Sequence, residues 1–246
     1  MKTKSTSIPK VIGHRGAAGH APENTLASIK KAGDLGVGWV EFDTKITEDG
    51  VAIIFHDDKL ERITGVKGEV ANTALKDIQT FEVGAWFGED FAGERVPTLL
   101  QAIQVLADLG LGANIEIKPS PDLARETGRA VAAVLNRAWP ETLPKPLISS
   151  FEAQTLEATR EIAPDLARAL LVFKIPRNWQ ALVESLDCAA LHAQAKHLTA
   201  AKVRAVLDAG YALRAFTVNE SAEAEKLFGW GVDAVISDFP DRLLPI

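Results

Sequence analysis

A single cysteine, Cys188, occurs in the whole chain, so an internal disulfide is excluded. Long apolar runs are missing as well. No stretch approaches the roughly 20 residues of a membrane helix, and Met1 to Pro9 holds no hydrophobic segment of the signal-peptide kind. These absences predict a cytoplasmic protein without stable membrane insertion. Positive charge is short too: a net charge of −6 over 246 residues argues against a general nucleic-acid binder, because phosphate backbones need a basic face. No segment reads as a linker, so residues 1–246 are expected to form a single domain, and the sequence sets no oligomeric state. Hydrophobic residues at 47% and charged residues at 24% suit a globular chain with a large core.

What is present is a repeating order of strand and helix. Strands are expected at Val11–His14, Trp39–Ile46, Ala113–Lys118, Pro146–Ser149, Ala167–Val172, Ala189–His192, Ala212–Val218 and Ala234–Ser237, with helices between them. That pattern predicts a TIM (β/α)8 barrel. A doubly wound open sheet is the alternative, but Gly13-His14-Arg15-Gly16-Ala17-Ala18-Gly19 lacks the dinucleotide glycine spacing. Pro22-Glu23-Asn24-Thr25 starts the first helix, with Asn24 read as its cap and Glu23 as a charge serving its dipole. Ser221 is read as the cap of the last helix. Glu48-Asp49-Gly50 signals a turn, so Val51 to His56 is expected to return as a neighbouring strand or hairpin arm. From about residue 57 to 97 the rhythm fails, and the segment reads as a small insertion after the second barrel strand, over one end of the barrel.

The chemistry is concentrated where strands end. In Trp39-Val40-Glu41-Phe42-Asp43-Thr44-Lys45-Ile46, alternation puts Glu41, Asp43 and Lys45 on one face and the apolar residues, with Thr44, on the other. Asn114, Glu116 and Lys118 repeat the design. Carboxylates turned into a common interior need a proton or a cation between them. Three oxygen ligands, Glu41, Asp43 and Glu116, suit one hard divalent ion, Mg2+ or Ca2+, better than zinc. His14, Arg15, His56 and Lys118 fall at the same ends, a set able to handle a phosphate ester. Arg15 and the metal would neutralise phosphate oxygens, while one histidine takes a proton from the attacking hydroxyl and the other gives one to the leaving oxygen. Each piece alone has a plainer reading: a structural histidine, an ion pair of Glu41 or Asp43 with Arg15 or Lys45, or Lys118 as a partner for Glu116. Phe216 and Trp86 read as core or pocket wall. His192 ends a strand and is a candidate to line the pocket, whereas Cys188 has no basic neighbour to activate it.

Together, His14-Arg15-Gly16, Pro22-Glu23-Asn24-Thr25, Val40-Glu41-Phe42-Asp43, His56-Asp57, Pro97-Thr98-Leu99, Ile115-Glu116-Ile117-Lys118, Phe216-Thr217-Val218-Asn219 and Gly231 to Asp238 resemble the motifs of the glycerophosphodiester phosphodiesterase family. The resemblance runs from about Val11 to Pro240. It implies metal-dependent hydrolysis of a small glycerophosphodiester to sn-glycerol 3-phosphate and an alcohol, through a cyclic intermediate or by direct attack of water. By position, His14 and His56 match the acid/base pair. Glu41, Asp43 and Glu116 match the metal ligands, and Arg15 and Lys118 the phosphate contacts. Phe216 stands where the family often has tryptophan, at the wall of the glycerol site. Two other functions compete. One is a lysophospholipase D-like hydrolase with an acyl groove near Trp86 to Phe91; the other is a catalytically silent barrel that binds phosphodiesters.

Overall fold

The computed structural model describes residues 8–244. The expectation for the first nine residues therefore lies mostly outside the described ones. In chain order the strands are β1 (Val11–Gly13), β2 (Trp39–Ile46), β3 (Ala52–Ile54), β4 (Gly112–Ile117), β5 (Leu147–Ser150), β6 (Ala167–Val172), β7 (Ala190–Gln194), β8 (Ala212–Phe216) and β9 (Ala234–Ser237). All except β3 pair in parallel, in the order β1-β2-β4-β5-β6-β7-β8-β9, and β9 returns to β1. The sheet is thus the closed eight-stranded barrel expected. β3 lies outside it, antiparallel to the far end of β2, with Thr44 opposite Ile54, as the turn at Glu48-Asp49-Gly50 implied.

The helices are α1 (Leu26–Asp34), α2 (Glu61–Thr64), α3 (Leu75–Ile78), α4 (Leu99–Leu109), α5 (Ala124–Ala138), α6 (Ala153–Ile162), α7 (Trp179–Ser185), α8 (Ala200–Asp208) and α9 (Ser221–Trp230). α2 and α3 belong to the inserted segment. Three of the longer helices are capped by threonine: Thr25, Thr98 and Thr199 each accept from the backbone N–H three residues on, and Gln101 completes a capping box with Thr98. Such caps contribute about 1 kcal/mol each. The cap of α1 is therefore Thr25 and not Asn24, since a threonine in extended geometry directly before the helix is placed to accept and Asn24 is turned away. At α9 the cap position belongs to Glu220. Ser221 is the first helical residue, and its hydroxyl donates to the Arg242 carbonyl.

Two layers of apolar packing position the site. Outward-facing strand residues such as Phe42, Ile115, Ile148, Leu191, Leu213 and Val235 are buried with the inner faces of the helices. Inside the barrel, the amino-terminal end is filled by Ile12, Trp39, Leu147, Ala169, Ala190, Ala234 and Ile236. Large and small residues alternate here, and one glycine is forced: a Cβ on Gly112 would lie 2.2 Å from the Trp39 indole. This plug closes the bottom of the barrel, leaving its polar residues to the other end. The inserted segment carries a separate core of Ile53, Phe55, Leu60, Ile63, Val70, Ile78, Val83 and Val96. Among the described residues, no helix is long and apolar enough to cross a membrane.

Candidate active site

Register converts the alternation in β2 and β4 into an acidic centre. Asp43 and Glu116 are paired across the two parallel strands, and Glu41 sits one inward-facing position before Asp43. Each offers an oxygen within 4.8 Å of the other two. Glu41 and Asp43 are buried, and the Glu116 side chain is 13% exposed. Burial, with the negative charges of Asp43 and Glu116, drives the Glu41 carboxyl well above its usual range. Burial and Asp43 push Glu116 up to about 7. Burial would raise Asp43 too, but the charges of Arg15, His56 and Lys118 and a bond from Asn24 outweigh it and hold that group low. Glu41 Oε1 is buried without a hydrogen-bond partner among the described residues. An oxygen left without a donor, inside a triad short of positive charge, fits a hard divalent cation bound by carboxylates. The plainer reading, neutralisation by Arg15 and Lys45, fails for Lys45. Its ammonium turns to the Asp58 carboxylate and the Lys118 carbonyl, each at 2.8 Å.

Two cations border the triad. Arg15, in left-handed geometry at φ 49°, donates its backbone N–H to Glu41 at 3.0 Å. Its side chain lies 3.4 Å from Asp43 and donates to Glu23 at 2.6 Å. Gly16 must follow it, because at φ 89° a Cβ would stand 2.5 Å from Ser28. Lys118 Nζ is 3.4 Å from Glu116 and 3.9 Å from Asp43. Asn24, assigned to a helix end by sequence, is a brace for Asp43: its amide donates to the carboxylate at 2.8 Å, and its oxygen accepts from the Asp43 backbone N–H at 3.1 Å. Glu23 is likewise a partner of arginines, Arg15 and Arg62.

Each of the two histidines is held by a carboxylate. His14 Nδ1 donates to Asp238 at 2.6 Å, with its Nε2 turned toward Glu41 at 3.8 Å. His56 Nδ1 donates to Asp57 at 2.5 Å. Burial would raise both aspartates, but hydrogen bonds from His14 and Asn219 hold Asp238 low, and those from Arg62 and His56 take Asp57 to about 2. Ionised carboxylates can only accept, so Nδ1 carries the proton in both rings and Nε2 is left free to exchange one. Burial, above all, lowers His56 below the ordinary histidine value. His56, Lys118, Lys45 and Asp57 border an open cleft of about 510 Å³.

Phe216, half-buried at the end of β8, meets Phe151 edge-on at 6.0 Å, and Phe151 stacks on the exposed Phe173 at 4.6 Å. Lys118 Nζ lies 5.9 Å from the Phe151 centroid, which brings this aromatic group beside the lysine that borders the triad. His192 does not line the cleft. It is wholly buried in the barrel beside Arg214, 3.3 Å away. Trp86 is 49% exposed and packs edge-on against Phe87. Cys188 is buried, and burial raises its thiol to about 12, which removes it as a nucleophile.

With this geometry in place, a family profile, "Glycerophosphoryl diester phosphodiesterase family", matches residues 14–242. The chain belongs to that family. It is thereby a phosphoric diester hydrolase. Within the glycerophosphoryl diester phosphodiesterases, it is 31% identical to a glycerophosphodiester phosphodiesterase of Caldanaerobacter subterraneus, covering 95% of this chain and 96% of that one. A Bacillus subtilis glycerophosphodiester phosphodiesterase is 30% identical over 94% of this chain and 83% of its own length. Among solved structures of the family, a phosphodiesterase of Oleispira antarctica in complex with the product sn-glycerol-3-phosphate superposes with a TM-score of 0.94 at 42% identity, covering 97% of this chain and 96% of that one. A glycerophosphodiester phosphodiesterase of Agrobacterium tumefaciens gives 0.79 at 26% identity, covering 97% and 100%.

Proposed function

We propose that this protein hydrolyses small glycerophosphodiesters to sn-glycerol 3-phosphate and an alcohol, with Glu41, Asp43 and Glu116 holding one divalent cation, Mg2+ or Ca2+. The observation that carries the reading is the convergence of three carboxylate oxygens within 4.8 Å, two of them on buried residues, bordered by two carboxylate-held histidines. When bound, the cation supplies charge neutralisation for phosphate oxygens and lowers the pKa of an oxygen it holds. The remaining work falls to the chain. Arg15 and Lys118 approach the nonbridging oxygens and balance the charge that grows on them in the transition state. The free Nε2 of one neutral histidine takes the proton of the attacking hydroxyl, and the other histidine, entering the step as the imidazolium with a proton on Nε2 as well as on Nδ1, gives the Nε2 proton to the leaving alcohol oxygen. Asp238 and Asp57 keep each ring in the tautomer this exchange requires. Phe216 walls the glycerol end, with Phe151 behind it.

Turnover of glycerophosphocholine and glycerophosphoethanolamine, followed as sn-glycerol 3-phosphate released, tests the proposal. Release is expected to need a divalent ion, to vanish with EDTA, and to fall by about 10²-fold or more in His14→Ala and in His56→Ala. Full activity in the double alanine variant would refute the roles given to the rings. Product from lysophosphatidylcholine at a rate above that from glycerophosphocholine would favour the acyl-accepting reading. Tight binding of either compound without any product would favour the silent barrel.

A further inference from the structure

Arg62 belongs to the inserted segment, on the four-residue helix α2, and its side chain is 46% exposed. An exposed ion pair usually contributes little to stability. Arg62 is not a simple pair. Its guanidinium spans two carboxylates: Nε and Nη2 donate to Asp57 at 2.5 and 3.1 Å, while Nη1 and Nη2 donate to Glu23 at 3.0 and 2.7 Å. The same two acids carry the groups nearest the chemistry. Asp57 accepts from His56 at 2.5 Å, and Glu23 accepts from Arg15 at 2.6 Å. A continuous run of hydrogen bonds therefore links His56, Asp57, Arg62, Glu23 and Arg15.

We infer that Arg62 is a positioning residue that sets His56 and Arg15 in register with one another across the bound phosphate, a role that rests on the phosphodiesterase reading above. The planar fork of arginine is what allows one side chain to serve both acids at once, which a lysine ammonium on its flexible stem cannot reproduce. The contact also divides the charge of Glu23 between two arginines. Without Arg62, Glu23 presents its whole charge to Arg15 and competes with phosphate for that guanidinium. Asp57, losing two donors, no longer has its plane fixed, and the His56 ring it holds is freed to turn. Placement of α2 itself does not need the side chain, because Ile63 and Leu60 anchor it in the core of the inserted segment.

The test uses the intact chain with Arg62→Ala and Arg62→Lys, measured for kcat, KM, thermal midpoint and affinity for sn-glycerol 3-phosphate. Arg62→Ala is expected to lower kcat/KM by about 10- to 100-fold, the range seen when the partner of a site residue is removed. The loss should fall on both kcat and KM, with a midpoint close to wild type. Product affinity should weaken in parallel, Arg62→Lys should recover a minor part, and added guanidinium should rescue the alanine variant. Wild-type kcat and KM in Arg62→Ala would overturn the inference, as would a loss that tracks loss of folded protein and does not respond to guanidinium. Failure of the wild-type chain to turn over glycerophosphodiesters refutes instead the reading on which it rests, and the product-affinity comparison still reports on Arg62 and Arg15.

Discussion

The barrel interior buries charge on two sides, and the two sides are treated differently. On β2 and β4, three carboxylates converge, and two of them, Glu41 and Glu116, are pushed toward protonation by burial and by the charge of Asp43, beside the His56 and Lys118 that border the open cleft. On β7 and β8, His192 and Arg214 face one another with no carboxylate within ion-pair range among the described residues. Burial lowers Arg214 to about 10, and burial with the Arg214 charge holds His192 well below its usual value, so it is neutral. The basic side is settled in charge but not in hydrogen bonding: His192 gives up its charge and accepts a bond from Arg214, while His192 Nδ1 and Arg214 Nε have no partner among the described residues. The acidic side is less settled, with Glu116 at about 7, Glu41 raised well above its usual range and Asp43 held low beside them. A buried cluster that its own surroundings leave unbalanced is one that waits for a ligand.

The largest expected effect tests the acidic side. Glu41→Gln and Glu116→Gln should each reduce release of sn-glycerol 3-phosphate by about 10³-fold, as loss of a group stabilising transition-state charge does. Thermal midpoints in EDTA should hold or rise, because a buried like charge has gone. A fall in midpoint without loss of turnover would mean that the carboxylates are structural.

Stability against pH comes next. The folded Glu116 carboxyl has a raised pKa of about 7 against 4.5 for the unfolded chain, so the native state binds its proton more tightly. Its stabilising contribution is complete below 4.5 and is lost as pH rises through 7. Metal-free protein is thus expected to melt several degrees lower at pH 8 than at pH 5, and a divalent cation, taking the place of the proton, should cancel that difference. Thermal melts with EDTA or Mg2+ at the two pH values give the answer, and equal midpoints without metal would remove the claim.

The smallest effect belongs to the other side. Arg214→Met should leave kcat within about threefold and the midpoint unchanged or higher, since replacing buried charge with a packed apolar group is often neutral or favourable. A large loss of turnover would move His192 and Arg214 into the catalytic apparatus and erase the contrast.

Sequence displayed one half of this site better than the other. Period-two alternation in Trp39 to Ile46 exposed Glu41 and Asp43 without any knowledge of neighbours, because strand geometry alone decides which face a residue takes. The partners Asp57, Asp238, Asn24 and Arg62 carry no such periodic signal. Asp238 meets His14 across 224 residues, a pairing fixed by barrel closure. Asn24 reads as a cap from its residue type, and only the backbone turn at φ 57° shows that it is aimed at Asp43 instead. α2 and α3, at four residues each, are too short for helical periodicity to emerge, so Arg62 was hidden in a segment that read as irregular.

The bond between His14 and Asp238 makes the first barrel strand depend on the last. A chain still emerging from the ribosome has β1 in hand almost at once, yet it holds no oriented imidazole there until the end of β9 has been made and has docked along the seam. On the role proposed for His14, catalytic competence therefore depends on ring completion, because Asp238 reaches the imidazole only where β9 lies along β1.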